Sequence, residues 1–452
     1  MGDVGKVFMF GFEESVLSLE RLKFFKSVGA KNFILFRRNI EHLKENIDIL
    51  RNEFENPIIA VDCEGGNVRR FKETEEFMFS NMNIGSSFNA GYAEEVYFKC
   101  GQLLAKNGIN LNLAPVVDIY ATEGNVIGIR SFGSSEDLVG EFGKKAILGL
   151  HRAGVYACAK HFIGYGKVLE DPHLVLPKSD LDLNELEIAL FPFRKVSDIT
   201  DFIMTAHVIV PIIDELPITF SKKGIDLLKE FFNGVILTDD LEMGGAKVFP
   251  IHEIPVKALE SGNDMLAVCS NFEIQKEMVH SIERSHINLD SHIEKIESLK
   301  EYEKLEDIPL REDYFVTLLK DNGFIPKDNF KFFSFSLFGE VKVEEGIDTI
   351  GDFSLDPDEG EIQKIVSQIS KGDNVVISVY NVFRHQSQKV LVSKVKEVAD
   401  KVCVIVAGDP VDRHIFDFVD CIILTFSPLP KIIEKALDVV RGKIEPKGRL
   451  PV

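Results

Sequence analysis

The stretch Val155–His173, VYACAKHFIGYGKVLEDPH, decides how this chain is read. A short apolar run, Val155–Ala159, leads into Lys160 and His161; Gly164 and Gly166 follow, then a polar segment closing on Asp171-Pro172-His173. Within the fourteen residues from Lys160 stand two imidazoles, two lysines and two carboxylates. That pattern is a buried strand whose end and following loop carry chemistry. An Asp two residues from a His, with a stiff proline between, can hold the ring N–H and raise the imidazole pKa toward neutrality, as a general acid/base requires.

Working outward, seven more apolar runs repeat the theme up to about residue 285: Lys6–Gly11, Asn32–Phe36, Pro57–Val61, Asn110–Val117, Phe202–Ala206, Gly234–Thr238 and Met265–Ser270. Helical patterns fall between them at Ser18–Val28, Ile40–Asn52, Ala93–Asn107, Glu136–Ala153, Asn184–Val196, Lys222–Phe232 and Pro255–Ser261. Gly29, Gly108, Gly154 and Gly262 stand where helix ends prefer glycine. Asn184, with Glu187 three residues on, reads as a helix start. Eight strand units alternating with helices predict an α/β fold with an N-terminal (β/α)8 barrel, a doubly wound open sheet being the alternative.

Polar residues sit where such a barrel builds its sites. Asp62 follows the third run, Asp118 the fourth, Lys160 and His161 the fifth, His207 the sixth, and Asp239 and Asp240 the seventh. All are carboxyl ends of strands, the face on which barrel active sites form. Ser270–Leu305 reads as a charged helical stretch leading away, and the pattern breaks at a linker near Leu305–Arg311. Beyond it, Phe330–Phe338, Asn374–Tyr380, Val402–Ala407 and Cys421–Thr425 are strand-like, Lys389–Val402 and Lys431–Gly442 helix-like, and Gly339–Gly372 is acidic and loop-bearing. The expected domains are a catalytic barrel over 1–305 and a smaller α/β sandwich over 306–452.

Composition narrows the function. The chain has 452 residues, 45% hydrophobic and 27% charged, with a net charge of −20, which argues against nucleic acid or an anionic membrane as partner. Tryptophan is absent and Phe numbers 36, so any sugar-stacking surface must use Phe or Tyr. No apolar run approaches the roughly 18 residues that span a bilayer, and the N-terminus lacks the layout of a signal peptide. Six cysteines scattered without a CxxC pair read as buried thiols of a cytoplasmic protein. No nucleotide-binding glycine fingerprint is present, so no cofactor is expected. Asp62, Asp118, His207 and Asp239 keep open a metal cluster as the lesser reading of the strand ends.

Taken in order, ILFRRNI (Ile34–Ile40), IIAVDCEGGNVRRF (Ile58–Phe71), NLNLAPVVD (Asn110–Asp118), VIGIRSFG (Val126–Gly133), KHFIGYG with Asp171 and His173, MTAHV (Met204–Val208), TDDLEMGGA (Thr238–Ala246) and ALESGNDML (Ala258–Leu266) resemble glycoside hydrolase family 3, in its β-N-acetylglucosaminidase branch. The closing GKIEPKGRLPV resembles the end of that family's second domain. The resemblance implies Asp239 as nucleophile, His173 as general acid/base and Asp171 as its partner. It implies Asp62, Arg70, Arg130, Lys160 and His161 as the residues that hold a terminal N-acetylglucosamine. It thus implies a retaining, exo-acting hydrolase of chitooligosaccharides or peptidoglycan fragments, without metal or cofactor and with room for a homodimer. Phosphorolysis, and a sugar-binding protein without turnover, are the alternatives. The chain departs from the family at Cys63, Asn67, Ile163 and Tyr165, where Gln, Arg, Pro and His are usual, and these positions bear on the outer binding surface.

Overall fold

The computed structural model of the protein describes residues 2–172, 174–304, 314–324, 329–335, 339–343 and 347–452. Eight short parallel strands run β1 (Phe8–Phe10), β2 (Asn32–Ile34), β3 (Ile58–Val61), β4 (Leu111–Asn112), β5 (Tyr156–Phe162), β6 (Phe202–Thr205), β7 (Val235–Thr238) and β8 (Leu266–Val268). Their order is β7-β6-β5-β4-β3-β2-β1-β8, so each strand but one pairs with its neighbour in sequence, and β1 pairs with β8. A parallel bridge between Leu237 and Met265 and the hydrogen bond from Thr238 N to Met265 O bring the two ends together. The expected barrel is therefore present, and the open doubly wound sheet is not.

The strands are apolar on both faces because side chains fill the barrel inside while helices cover it outside. Phenylalanine carries much of the packing: Phe10 stacks on Phe25 with centroids 4.9 Å apart, and Phe25 meets Phe33 at 5.6 Å. The helices end as their glycines predict, with Gly29 (φ 71°) and Gly262 (φ 109°) in the left-handed region that a side chain disfavours. One helix start differs from expectation. Asp182, not Asn184, caps Leu183–Val196, and Glu185 completes the capping box.

Among the described residues the second domain holds six strands, β9 (Thr317–Asp321), β10 (Lys331–Phe335), β11 (Asp348–Phe353), β12 (Asn374–Val379), β13 (Lys401–Val406) and β14 (Cys421–Leu424). They form one sheet ordered β11-β10-β12-β13-β14-β9. Only β9 is antiparallel, on the edge beside β14. The acidic stretch after Gly339 holds β11 and the helix Glu359–Val366 as well as loops. The helix expected to reach Val402 ends at Val398, and Val402 lies in β13. The linker at Leu305–Arg311, and with it the boundary at 305/306, lies outside the described residues, as do positions 336–338 of the run Phe330–Phe338.

The two domains share packing. Phe79, Met82, Tyr120 and Ile129 from barrel loops are buried in the second domain's hydrophobic core. Hydrogen bonds cross the junction from Asn83 Nδ2 to Thr425 O (3.0 Å), Ser80 Oγ to Phe426 O (2.6 Å) and Ser427 Oγ to Phe79 O (2.9 Å). Among the described residues no helix is long and apolar enough to cross a membrane.

Candidate active site

At the carboxyl ends of the barrel strands lies a cavity of about 470 Å³, within the usual range of small-molecule pockets. Asp62, Arg70, Arg130, Lys160, His161, Asp171 and Asp239, seven residues singled out in the sequence, all line it. His173 lies outside the described residues.

The third and fifth strands supply a charged wall. Asp62, the residue after β3, takes Lys160 Nζ at 2.8 Å on one oxygen and Arg70 Nη2 at 3.1 Å on the other. Arg70 comes back to its own strand end through the turn at Gly65 and Gly66, both at positive φ. Burial alone would raise the Asp62 pKa; Lys160 and Arg70 outweigh it and hold the carboxylate below its ordinary range. Lys160 is pulled down by burial in the same way, and Asp62 and Glu64 more than restore it, so its ammonium is held above the ordinary lysine value. Among the described residues the buried Nε of Arg70 has no hydrogen-bond partner. A donor stranded in a pocket is a donor placed for a ligand oxygen.

Glu64 was not among the expected site residues. It is 2% exposed and lines the same pocket, where Arg130 grips it and Lys160 Nζ approaches to 2.6 Å. Burial opposes its ionisation, but Arg130 and Lys160 outweigh that and keep it well below the usual carboxylate range. The sequence did carry a signal: Glu64 is two residues past Asp62, the spacing that returns a side chain to the same side of an extended segment. Arg130 therefore pairs with Glu64, and its Nη2 also lies 3.3 Å from His161 Nε2.

Lys160 and His161 fall inside β5 rather than after it. Consecutive strand residues ordinarily face opposite ways, yet both line the pocket. The β5–β6 register shifts between Lys160 and Phe162, and such a bulge re-aims side chains. His161 is braced from behind by Asp118, whose Oδ2 accepts from both the His161 backbone N and Nδ1 at 2.8 Å. Asp118 thus positions a pocket residue without lining the pocket itself.

The seventh strand brings Asp239. Its Oδ1 accepts from Asp240 N at 2.8 Å, and its own N–H bonds Thr205 O at 3.2 Å. Among the described residues no cation makes ion-pair contact with Asp239. His207, also at a strand end, does not line the pocket. Its ring nitrogens meet Thr219 Oγ1 (2.8 Å) and Asp240 O (3.0 Å), and burial lowers its pKa. A neutral imidazole so occupied braces the Asp239–Asp240 turn. Among the described residues no group of three or more His, Cys, Asp and Glu is arranged to hold a metal.

Asp171 and Pro172 reach the pocket from the long loop after β5. Gly245 N, in the loop after β7, donates to Pro172 O at 3.1 Å, so the two loops touch at the mouth. The second domain also reaches in: Arg384 lines the cavity, and Tyr380 accepts a hydrogen bond from Asn67 in the loop after β3. No local feature of the sequence marks Arg384, because only the domain packing brings it there.

The arrangement can hold a polyhydroxylated ring on a matched set of carboxylates and cations while Asp239, with no ion-pair partner among the described residues, lines the same cavity. Comparison with known proteins agrees. Residues 27–299 match the N-terminal domain of glycosyl hydrolase family 3. A β-hexosaminidase of Idiomarina loihiensis is 35% identical over 268 residues, covering 56% of this chain and 81% of that protein. A β-hexosaminidase of Pseudomonas aeruginosa is 31% identical over 292 residues, 62% of this chain and 87% of its own. The solved family 3 β-N-acetylglucosaminidase of Paenibacillus sp. FPU-7 superposes with a TM-score of 0.86 at 26% identity, covering 99% of this chain and 98% of that one.

Proposed function

The chain belongs to glycosyl hydrolase family 3, and we propose that it is an exo-acting β-N-acetylglucosaminidase that retains anomeric configuration. The observation that carries this reading is that Asp239 and Asp171, from different strand loops, line one cavity with the Asp62–Lys160–Arg70 cluster. The two-domain likeness to a β-N-acetylglucosaminidase over nearly the whole chain supports it.

In this mechanism the non-reducing N-acetylglucosamine enters with its hydroxyls on Asp62, Arg70, Lys160 and His161, and Arg130 completes the wall. Asp239 attacks the anomeric carbon as the glycosidic bond breaks, through an oxocarbenium-like transition state. His173, protonated and paired with Asp171, gives its proton to the departing oxygen. The glycosyl–Asp239 ester is then opened by water that neutral His173 deprotonates, and the sugar leaves with its β configuration. The substrates are chitooligosaccharides or peptidoglycan fragments, and the enzyme serves their recycling in the cytoplasm, where six buried thiols stay reduced.

The test is turnover of 4-nitrophenyl β-N-acetylglucosaminide by the full chain. Asp239→Asn is expected to lower kcat on the order of 10⁴-fold, and a fluorinated N-acetylglucosaminyl donor should leave a covalent adduct on the Asp239 peptide. Near-normal turnover by the variant sinks the assignment. Release of N-acetylglucosamine 1-phosphate in phosphate buffer would replace hydrolysis with phosphorolysis.

A further inference from the structure

We infer that Arg384, delivered to the pocket mouth by the second domain, binds a carboxylate on the leaving-group sugar and so selects for acidic leaving groups. The inference rests on the reading of the cavity as a glycosidase site.

Every other guanidinium or ammonium lining the cavity is matched to a carboxylate. Arg70 meets Asp62, Arg130 meets Glu64, and Lys160 meets both acids, all within 3.1 Å. Arg384 is exposed and, among the described residues, makes no ion pair and no side-chain hydrogen bond; its guanidinium lies over the Phe383 ring, 5.1 Å from the centroid. The acids on its own side are turned to other donors, and Asp409 meets the Arg384 charge only across a gap wider than an ion pair. Asp409 accepts from Tyr120 Oη and from Val411 N, and Asp412 accepts from Val382 N (2.7 Å) and Phe383 N (2.8 Å). In a chain of net charge −20, a cation at a pocket mouth with no ion-pair partner among the described residues is an exception that favours an anionic ligand.

The arginine is also held in place. Asp412 pins its loop through those two backbone N–H groups, Phe383 rests against Gly124 of the loop after β4, and Tyr380 takes the hydrogen bond from Asn67. The terminal sugar is gripped at the strand ends, so the leaving group must project toward the mouth, where Asp171 and Arg384 stand. A guanidinium presents a planar fork that matches a carboxylate.

The test compares two disaccharides with the full-length protein: chitobiose, and chitobiose oxidised at its reducing end to the sugar acid. The readout is the ratio of kcat/KM for acid over neutral substrate within each protein, so a general change in activity cancels. Wild type is expected to favour the acid; Arg384→Ala should reduce the ratio about three- to tenfold, and Arg384→Glu should drive it below one. A ratio unchanged across the three proteins overturns the inference. So does a ratio that holds while Arg384→Ala abolishes a stimulation by inorganic phosphate, since the arginine would then serve an acceptor anion. If wild type cleaves neither disaccharide, the glycosidase reading fails. Calorimetric affinities of the two sugars for the three proteins then decide the carboxylate preference by the same ratio.

Discussion

Arg130 and Glu64 form a two-point ion pair, Nε to Oε2 at 2.7 Å and Nη2 to Oε1 at 2.9 Å, in the lining of the pocket. Glu64 is nearly sealed from solvent and also takes Lys160, so one carboxylate holds two cations that line the cavity.

Replacing Glu64 with Gln leaves Arg130 and Lys160 side by side without their shared counter-charge. Breaking a buried ion pair on one side costs about 3–5 kcal/mol, to be read as a fall in the urea midpoint, and KM for the nitrophenyl substrate should rise. The Glu64 pKa is depressed in the folded protein, so its contribution is whole above the unfolded value of about 4.3 and fades as pH falls below it. The gap between wild type and variant should therefore persist at pH 7 and narrow only in acid. A gap that widens on acidification contradicts the assignment.

Gly245 has no room for a side chain. A Cβ there would lie 2.9 Å from His207 Cβ and 3.3 Å from Pro172 O. Gly245→Ala should push the Asp171–Pro172 segment away from the β7 loop and misplace the acid/base proposed for that loop. Misplacement by about 1 Å can cost on the order of 10²-fold in rate. The check is kcat/KM beside the thermal midpoint: a loss of rate well beyond any loss of stability is expected, and unchanged kinetics would refute the loop contact as functional.

Asp240, next to Asp239 in the loop after β7, is pushed up to about 7 by burial, then by Glu242 and Asp239. An acid whose folded pKa is raised stabilises the fold less as pH climbs from the unfolded value of about 3.9 through 7, and the loss then levels off. Asp240→Asn keeps an Oδ1 acceptor for Glu242 N and Cys269 N. It should be more stable than wild type at pH 8, by about 1–3 kcal/mol, and nearly equal to it at pH 4. Parallel stability curves for the two proteins would contradict the raised pKa.

Tyr120 ties the barrel to the second domain through the Asp409 carboxylate, and its Oη also accepts from Gly124 N at 3.0 Å. Tyr120→Phe orphans that buried N–H and one carboxylate bond, which costs about 1–3 kcal/mol. Chemical denaturation should register the loss as a lower midpoint; a midpoint equal to wild type would mean the junction does not depend on it.

Much of this was legible in the chain. Runs such as Ile58–Val61 and Val235–Thr238 announce strands buried on both faces, and the charged residue closing each run marks the catalytic rim. That signal marks Asp62, Lys160, His161 and Asp239. Glu64 escapes that signal because a buried acid reads like any other loop carboxylate until its cations are in place. β9, TLLKD, is a half-exposed edge strand with too little apolar pattern to announce itself. The cap at Asp182 was displaced by a similar signal two residues on.

The sequence by itself determined the barrel and which strand ends carry chemistry, because hydrophobic periodicity and the polar residues that close the third to seventh runs are local properties. Only the tertiary structure decided which charges neutralise one another, that a bulge turns both Lys160 and His161 toward one cavity, and that Arg384 reaches that cavity from the second domain. Pairing energies depend on distances across elements far apart in the chain, and no local pattern encodes those distances.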